Sequence, residues 1–439
     1  MGIALRTDDV THSSSREFLD GLFRMAIAAA HPKQCLTSHL PKPPTGRLII
    51  LAAGKAAGSM AEVAEQFYLQ TCGLPSERIC GIAVARHGYG RPTKVVRLVE
   101  AGHPVPDQAG IAATADTLAL AKTATANDIV LVLISGGASA NWIAPIPPLS
   151  LNEKQAVTRA LLRSGAAIGE INTLRKHLSQ IKGGRLARLA HPARVVTLGI
   201  SDVPGDDPAV IGSGPTVPDP STLADARAII ERYRLDIPES VHRILAGPAS
   251  ESPKPGDDVF RNTEFHLVAR PADSFHAAEK AIKAAGYEYI FLGDQVEGEA
   301  REVAAAQAKL AREIAAEKRR AVIVSGGELT VTIKGQGRGG PNQEYALALA
   351  IAIDGMPGIA ALAGDTDGTD GGGGSASDPA GAFVTGGTVT RARALGLDPA
   401  AFVADNNSTA FFTALGDLVA PGPTFTNVND FRAIVVDTP

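Results

Sequence analysis

RLIILAAGKAAGSMAEVAEQFY, residues 47–68, carries the grammar that decides the fold. An apolar run without alternation reaches Ala53, Gly54-Lys55 interrupts it, and a helical spacing follows. Such a run reads as a strand buried on both faces, which implies a parallel sheet flanked by helices. The pattern recurs. DIVLVLI (128–134) leads into Ser135-Gly136-Gly137, and ARVVTLGI (193–200) leads into Ser201-Asp202. Residues 16–30 read as an opening amphipathic helix. The polar, Pro-rich stretch 248–263 (PASESPKPGDDVFRNT) reads as a linker, dividing the chain into domains 1–250 and 251–439. Beyond it, EFHLVAR predicts a strand, DSFHAAEKAIKAAG a helix, RRAVIVSGGELTVTIKG two strands and NQEYALALAIAI a helix. GIAALAGDTDGTDG predicts a strand ending in an acidic loop, and FRAIVVDTP a last strand. The Ser-Gly-Gly after a strand occurs twice, in LISGGASA and VSGGELTV. Two similarly built halves explain that echo, and so does one tight turn used twice.

Composition narrows the function classes. At 439 residues two domains are expected. The net charge of −4 offers no broad attraction for nucleic acid. The three cysteines, Cys35, Cys72 and Cys80, form no C-x-x-C pair and no disulfide framework. No apolar run approaches the roughly 18 residues of a membrane span. The first residues, MGIALRTDDVTHSSSREF, hold no apolar signal core, so the expected location is the cytoplasm.

In open parallel sheets, ligands bind beyond the carboxyl ends of strands, where this chain spends its glycines, acids and isolated basic residues. Gly54-Lys55 joins a strand to a helix, where backbone N–H groups and a lysine favour an anion; the alternative is an ordinary βα turn. A Walker A loop is absent. Ser135, Gly136, Gly137 and Ser139 form a second small-residue turn suited to phosphate or carboxylate oxygens. Arg175 and Lys182 belong to the densest basic cluster, which suits an anionic substrate or a solvated helix face. Asp202, at a strand end, is placed to accept a hydroxyl proton or a metal. Ser325, Gly326 and Gly327 repeat the Ser-Gly-Gly turn. Gly335-Gln-Gly337-Arg338-Gly339-Gly340 formally fits the dinucleotide fingerprint, but the ribose-binding acid should end the next strand about 20 residues on: Asp354 has that spacing and sits at the helix end, while Asp365 ends the strand and is farther away. Arg338, flanked by glycines, has room to reach a transferring phosphoryl group. Asn342 and Glu344 open the following helix. Asp365 and Asp367 lie on a Gly-rich loop whose spacing fails the EF-hand pattern but suits Mg²⁺, which needs one or two carboxylates. No H-E-x-x-H or G-x-S-x-G occurs, which argues against zinc hydrolysis and lipase-type chemistry.

In order, GKAAGSM, AGHPVPD, ISGGASA, NTLRKHLSQIKGGRLA, SDVPGDDPAVIGSGPT, SGGELTVTIKGQGRGGPNQE, GDTDGTDG and GPTFTNVND closely resemble the class II glycerate kinase family, whose C-terminal part is the MOFRL domain. The resemblance runs from about residue 16 to 437. It implies a Rossmann-like α/β N-terminal domain with a mostly parallel sheet, a smaller C-terminal α/β domain, and an active site in the interdomain cleft. It further implies ATP- and Mg²⁺-dependent phosphorylation of D-glycerate to 2-phosphoglycerate, and a homodimer. Lys55 and Arg338 match the family's functional lysine and arginine, and Asp202 is its candidate base. Two segments depart from the family: GTDGGGGSASDPAG replaces T-D-G-x-D-G-P-T-D-A-A-G, and Asn406-Asn407-Ser408-Thr409-Ala410 lacks the histidine of an N-D-S-Y-H segment. Asn407 is the nucleotide-site candidate there. Relatives are also labelled hydroxypyruvate reductase, so an NAD(P)H-dependent reductase is the rival expectation. A non-catalytic small-anion binder is the third.

Overall fold

A computed structural model describes residues 7–371 and 375–437. It separates into two compact units, Cys35–Val268 and Met1–Gln34 with Ala269–Pro439. This division differs from a boundary at 250/251 at both ends, and each difference has a packing reason given below.

The unit Cys35–Val268 is built on β1 (Leu48–Ala53), β2 (Ile79–Arg86), β3 (Arg97–Ala101), β4 (Ile129–Ile134), β5 (Arg194–Ile200) and β6 (Thr263–Ala269), in the order β3-β2-β1-β4-β5-β6. β1 pairs in parallel with both β2 and β4, and the β2–β3 and β4–β5 pairs are parallel too. Every residue of β1 and β4 is buried, as an unbroken apolar run requires. Ile49, Leu51, Val130 and Val132 share one face with Ala113 and Leu118 of the helix Gln108–Ala121. The helix Ala57–Gln66 packs on β1 and β2. From β1 the chain proceeds outward to β3, and from β4 it proceeds the other way. The turns after β1 and β4 therefore flank the point where a doubly wound sheet opens a crevice at its carboxyl edge.

The stretch 248–263 is not a linker. Ser250 and Ser252 are buried. Arg185 Nη2 donates to the Ser250 carbonyl at 2.6 Å, and Ser252 Oγ donates to Asp219 Oδ2 at 2.8 Å. Val195 N donates to the Asn262 carbonyl at 2.9 Å, which leads the chain into β6 beside β5. Its polar composition reads as solvent-facing because sequence alone does not show these partners.

The second unit holds β7 (Glu288–Phe291), β8 (Gly298–Glu299), β9 (Ala321–Ser325), β10 (Leu329–Thr330), β11 (Ile359–Asp365), β12 (Gly381–Thr385), β13 (Leu418–Val419) and β14 (Asp430–Val436). Six of these make a mixed sheet in the order β13-β12-β11-β14-β9-β7, and β8 and β10 form a small parallel pair. In the larger sheet β7–β9 is parallel, and the β13–β12, β12–β11, β11–β14 and β14–β9 pairs are antiparallel. Alternation sorts the side chains onto two faces. Ile323, Ala361, Ala363, Ile434 and Val436 face the helices Ala300–Ala316 and Pro341–Ala352. Val322, Val324, Leu362, Ala433 and Val435 face the helices Thr7–Ala29 and Pro271–Ala284. The opening helix thus belongs to this unit: Leu19, Leu22, Phe23 and Ala26 recur at helical spacing and cover the sheet's second face.

The Ser-Gly-Gly echo resolves as one turn used twice. Gly137 and Gly327 are both left-handed, at φ 85° and 93°, but one turn leaves a parallel sheet and the other a mixed one. Phe23 is 1% exposed, its ring 6.2 Å from that of Phe431. We predict that Phe23→Ala lowers stability by about 3 to 5 kcal/mol in chemical denaturation. A change under about 1 kcal/mol would mean that the opening helix does not cover this face.

Candidate active site

At the carboxyl edge of the parallel sheet, the turns after β1 and β4 are fastened to each other. Gly54 has φ 117°, and a methyl group there would lie 2.4 Å from Ser135 Oγ, so only glycine fits. Lys55 N donates to the Gly136 carbonyl at 2.8 Å, and Ala56 N donates to Ser135 Oγ at 2.9 Å. Gly54 N donates to the Val84 carbonyl and Ala57 N to that of Gly54. The amides of residues 54–57 are therefore committed inside the protein. Gly54 and Ser135, which is fully buried, serve as a fastening, and an anion-cradling role for this turn's amides does not follow. What the turn presents is the Lys55 side chain. A methyl group on Gly137 would lie 3.4 Å from Lys55 Cγ and 3.0 Å from His103 Cδ2, so lysine and histidine flank the same glycine. His103 was not singled out by its chemistry; the signal is a histidine immediately beyond β3, at the same sheet edge.

Next to this turn, Ser139 Oγ lies 2.9 Å from Ser213 Oγ, and Lys182 Nζ donates to the carbonyl and Oγ of Ser139 at 2.8 and 2.6 Å. Lys182 is 2% exposed and has no carboxylate partner within 4.0 Å among the described residues. Burial, reinforced by Lys154 and Arg175, holds its pKa well below that of an ordinary lysine. Burial likewise pulls Lys154 down to about 7. Arg175, half-buried, has its pKa lowered by burial. Lys176 instead pairs with Asp219 at 3.4 Å, and His177 is satisfied between the Thr173 carbonyl and Glu251. Asp202 follows β5 directly and is partly buried. Lys55, Gly136, Gly137 and Ser139 thus lie on the turns after β1 and β4, Lys182 reaches Ser139 from the loop before the helix Arg185–Ala190, and Asp202 lies on the segment after the neighbouring strand β5.

In the other unit, the Gly335–Gly340 loop follows no long strand; β10 before it has two residues. Its glycines face protein. A methyl group on Gly335 would lie 2.2 Å from the Asp405 carbonyl, on Gly337 2.3 Å from Asn407 Cβ, and on Gly339 2.1 Å from Ser408 Oγ. Arg338 N donates to Asn407 Oδ1 at 3.4 Å and its carbonyl accepts from Thr409 N at 3.0 Å. The backbone of Arg338 is held while its side chain stays exposed.

The remaining expected residues here are mostly structural. Ser325 Oγ accepts from Gln307 Nε2 at 3.1 Å and Arg432 Nε at 3.3 Å, and the Gly326 carbonyl accepts from Arg432 Nη2. A methyl group on Gly327 would collide with Val296. Asn342 Nδ2 bridges Asp370 and Asp430, and Glu344 pairs with Arg301 Nε at 2.6 Å. Burial raises the Glu344 carboxyl, with Arg301 opposing. On the acidic loop, Asp365 Oδ1 accepts from Asp367 N, and Asp367 Oδ1 accepts from Thr369 N and Oγ1. Among the described residues no three His, Cys, Asp or Glu side chains come together as a metal centre.

Comparison with known proteins agrees in fold and in sequence. A family model described as a domain of unknown function, DUF4147, matches residues 18–246, and the MOFRL family model matches 321–430. A protein of Agrobacterium vitis with a provisional hydroxypyruvate reductase name is 46% identical, over 96% of this chain and 95% of its own. D-glycerate 2-kinase of Thermotoga maritima is 39% identical, over 93% of this chain and 95% of its own. The crystal structure of a Thermotoga maritima glycerate kinase superposes with TM-score 0.84 at 38% identity, covering 97% of this chain and all of that one.

Asp370 gives a pH test of the acidic loop. Burial pushes its carboxyl up to about 7, against the amides of Asn342 and Gln343 that donate to it and with Asp430 adding to the rise. A carboxyl raised by folding stabilises the protein at pH below its ordinary value, and that contribution is lost as pH rises through about 7. Wild-type stability is expected to fall from pH 5 to 8 more steeply than that of Asp370→Asn in parallel urea titrations. Equal slopes would show that Asp370 is ionised throughout.

Proposed function

This chain belongs to the glycerate kinase family, and from that premise we propose that it transfers the γ-phosphoryl group of ATP to the C2 hydroxyl of D-glycerate. The observation that carries the reading is the set of basic side chains at the carboxyl edge of the parallel sheet. Lys55 and Lys182 lie beside turns of small residues, Arg175 lowers the pKa of Lys182, and Lys182 is buried with no carboxylate within 4.0 Å among the described residues. Burying such charges is costly unless an anion joins them.

In this reading Lys55 holds a phosphate oxygen, and Arg175 receives the glycerate carboxylate in a two-pronged contact. Asp202 accepts the C2 hydroxyl proton as that oxygen attacks phosphorus in line. Arg338 meets the charge spread over the moving phosphoryl group. Asp365 and Asp367 are the residues that would hold Mg²⁺, which would neutralise phosphate charge. Gly136, Gly137 and Ser139 accompany Lys55 in this reading, and Asn407 supports the backbone of Arg338. Rate enhancement rests on positioning and electrostatics, with no covalent enzyme intermediate.

The reductase alternative has less support. Gly335, Gly337 and Gly339 lie against protein atoms of residues 405–408 and Gly340 against Asp370, where a dinucleotide fingerprint needs its glycines open to a pyrophosphate. The β1 turn has its amides committed as well. A purified-protein assay separates the two: D-glycerate-dependent ADP formation is expected, without NADH or NADPH loss on hydroxypyruvate. Arg338→Ala is expected to lower turnover by roughly 100-fold or more, with stability within about 0.5 kcal/mol of wild type because its side chain is exposed. Lys55→Met is expected to lose as much activity. Near-wild-type turnover in either variant removes that residue from the mechanism.

A further inference from the structure

Resting on that reading, we infer that Ser213 and Lys182 are positioning residues that force the Ser139 hydroxyl to donate outward, onto an anionic oxygen of a substrate. The argument is a count of donors. Ser139 Oγ has one proton and two acceptor positions. Lys182 Nζ donates into it at 2.6 Å. Ser213 Oγ is its other neighbour, at 2.9 Å, and either hydroxyl can be the donor in that pair. Burial decides the direction. Ser213 is 1% exposed, and among the described residues Ser139 is its only side-chain partner. Were Ser139 to donate inward, the Ser213 proton would be buried without an acceptor, at a cost of about 1 to 3 kcal/mol. Ser213 therefore donates to Ser139, both acceptor positions of Ser139 are filled, and its own proton points to its exposed side.

The backbone supports a purpose for this pair. Gly212, Ser213 and Gly214 have φ 58°, 63° and 60°, three successive left-handed residues of which the middle one is not glycine. Strain of this kind is kept where the side chain has a task. The Ser213 carbonyl accepts from Gly183 N at 3.0 Å, which ties the turn to the loop carrying Lys182. Burial and its basic neighbours lower the Lys182 pKa; negative charge beside Ser139 opposes them and favours the protonated form, which only donates. A site polarised in this way accepts an oxygen with lone pairs and disfavours a donor at that position. The chemistry fits a carboxylate or a phosphate oxygen.

Calorimetric titration of the full chain with D-glycerate and, separately, with ATP tests the inference. Ser139→Ala is expected to weaken one of the two by roughly 10- to 100-fold, the worth of a hydrogen bond to a charged group. Loss confined to D-glycerate assigns the carboxylate, and loss confined to ATP assigns a phosphate. Ser213→Gly is expected to weaken the same ligand by about 3- to 10-fold while the melting temperature stays at or above wild type, since glycine suits φ 63°. In the Ser139→Ala background, Ser213→Gly is expected to add nothing, because it acts only through Ser139. Unchanged binding by Ser213→Gly, or effects that multiply in the double variant, overturns the inference. A wild-type chain that binds neither ligand overturns the kinase reading instead.

Discussion

The hydrogen bonds from Ala56 N to Ser135 Oγ and from Lys55 N to the Gly136 carbonyl hold the turn after one buried strand against the turn after its neighbour. Only a residue without Cβ allows the approach, which is why Gly54 sits at φ 117° between an apolar strand and a helix. Register in the parallel sheet pairs Ala53 with Ile134, so the turns begin level with each other. Once they are fastened, Lys55, Gly137 and His103 have fixed places, and the Ser139–Ser213–Lys182 group lies one turn further along. Chemistry at this edge follows from topology: the sheet reverses its winding between β1 and β4, and that is where small residues and basic side chains accumulate.

The second unit solves a comparable problem by different means. Its Gly-rich loop is supported along its length by residues 405–409, with three glycines filled by neighbouring protein atoms. The consequence is a rigid backbone under one exposed guanidinium, Arg338. Behind it, the buried set Asp370–Asn342–Asp430–Arg432 ties the start of the helix Pro341–Ala352 to β14 and to the acidic loop. A polar network of this kind is costly when incomplete and specific when complete, and it accounts for the depth at which these acids lie.

Much of the fold was legible because buried strands announce themselves: β1, β4, β5, β9, β11 and β14 all coincide with apolar runs. The mixed pairing of the second sheet was not legible, since strand direction there depends on partners far apart in the chain. Nor was the place of the opening helix, whose apolar stripe shows that it is covered but not by what. The stretch 248–263 misled because buried polar residues look solvated until their partners are known. At the site, the residue types at strand ends were readable: Lys55 and Ser139 follow β1 and β4, Lys182 reaches Ser139, and Asp202 follows β5. Individual roles were less so. Glycines that read as phosphate cradles turned out to be packing positions, and Ser325 and Ser135 are hydrogen-bonded inside the protein. His103 and Ser213 were visible only as members of the AGHPVPD and GSGPT segments, because nothing in a single histidine or serine marks its role until the fold supplies its neighbours.

Phosphorus NMR of a mixture of the protein, Mg²⁺, ATP and D-glycerate tests the central claim most directly. A growing phosphomonoester resonance split by the C2 proton, matched by the appearance of ADP, is the expected result. An unchanged ATP spectrum, in a sample whose folded state is verified, would contradict it.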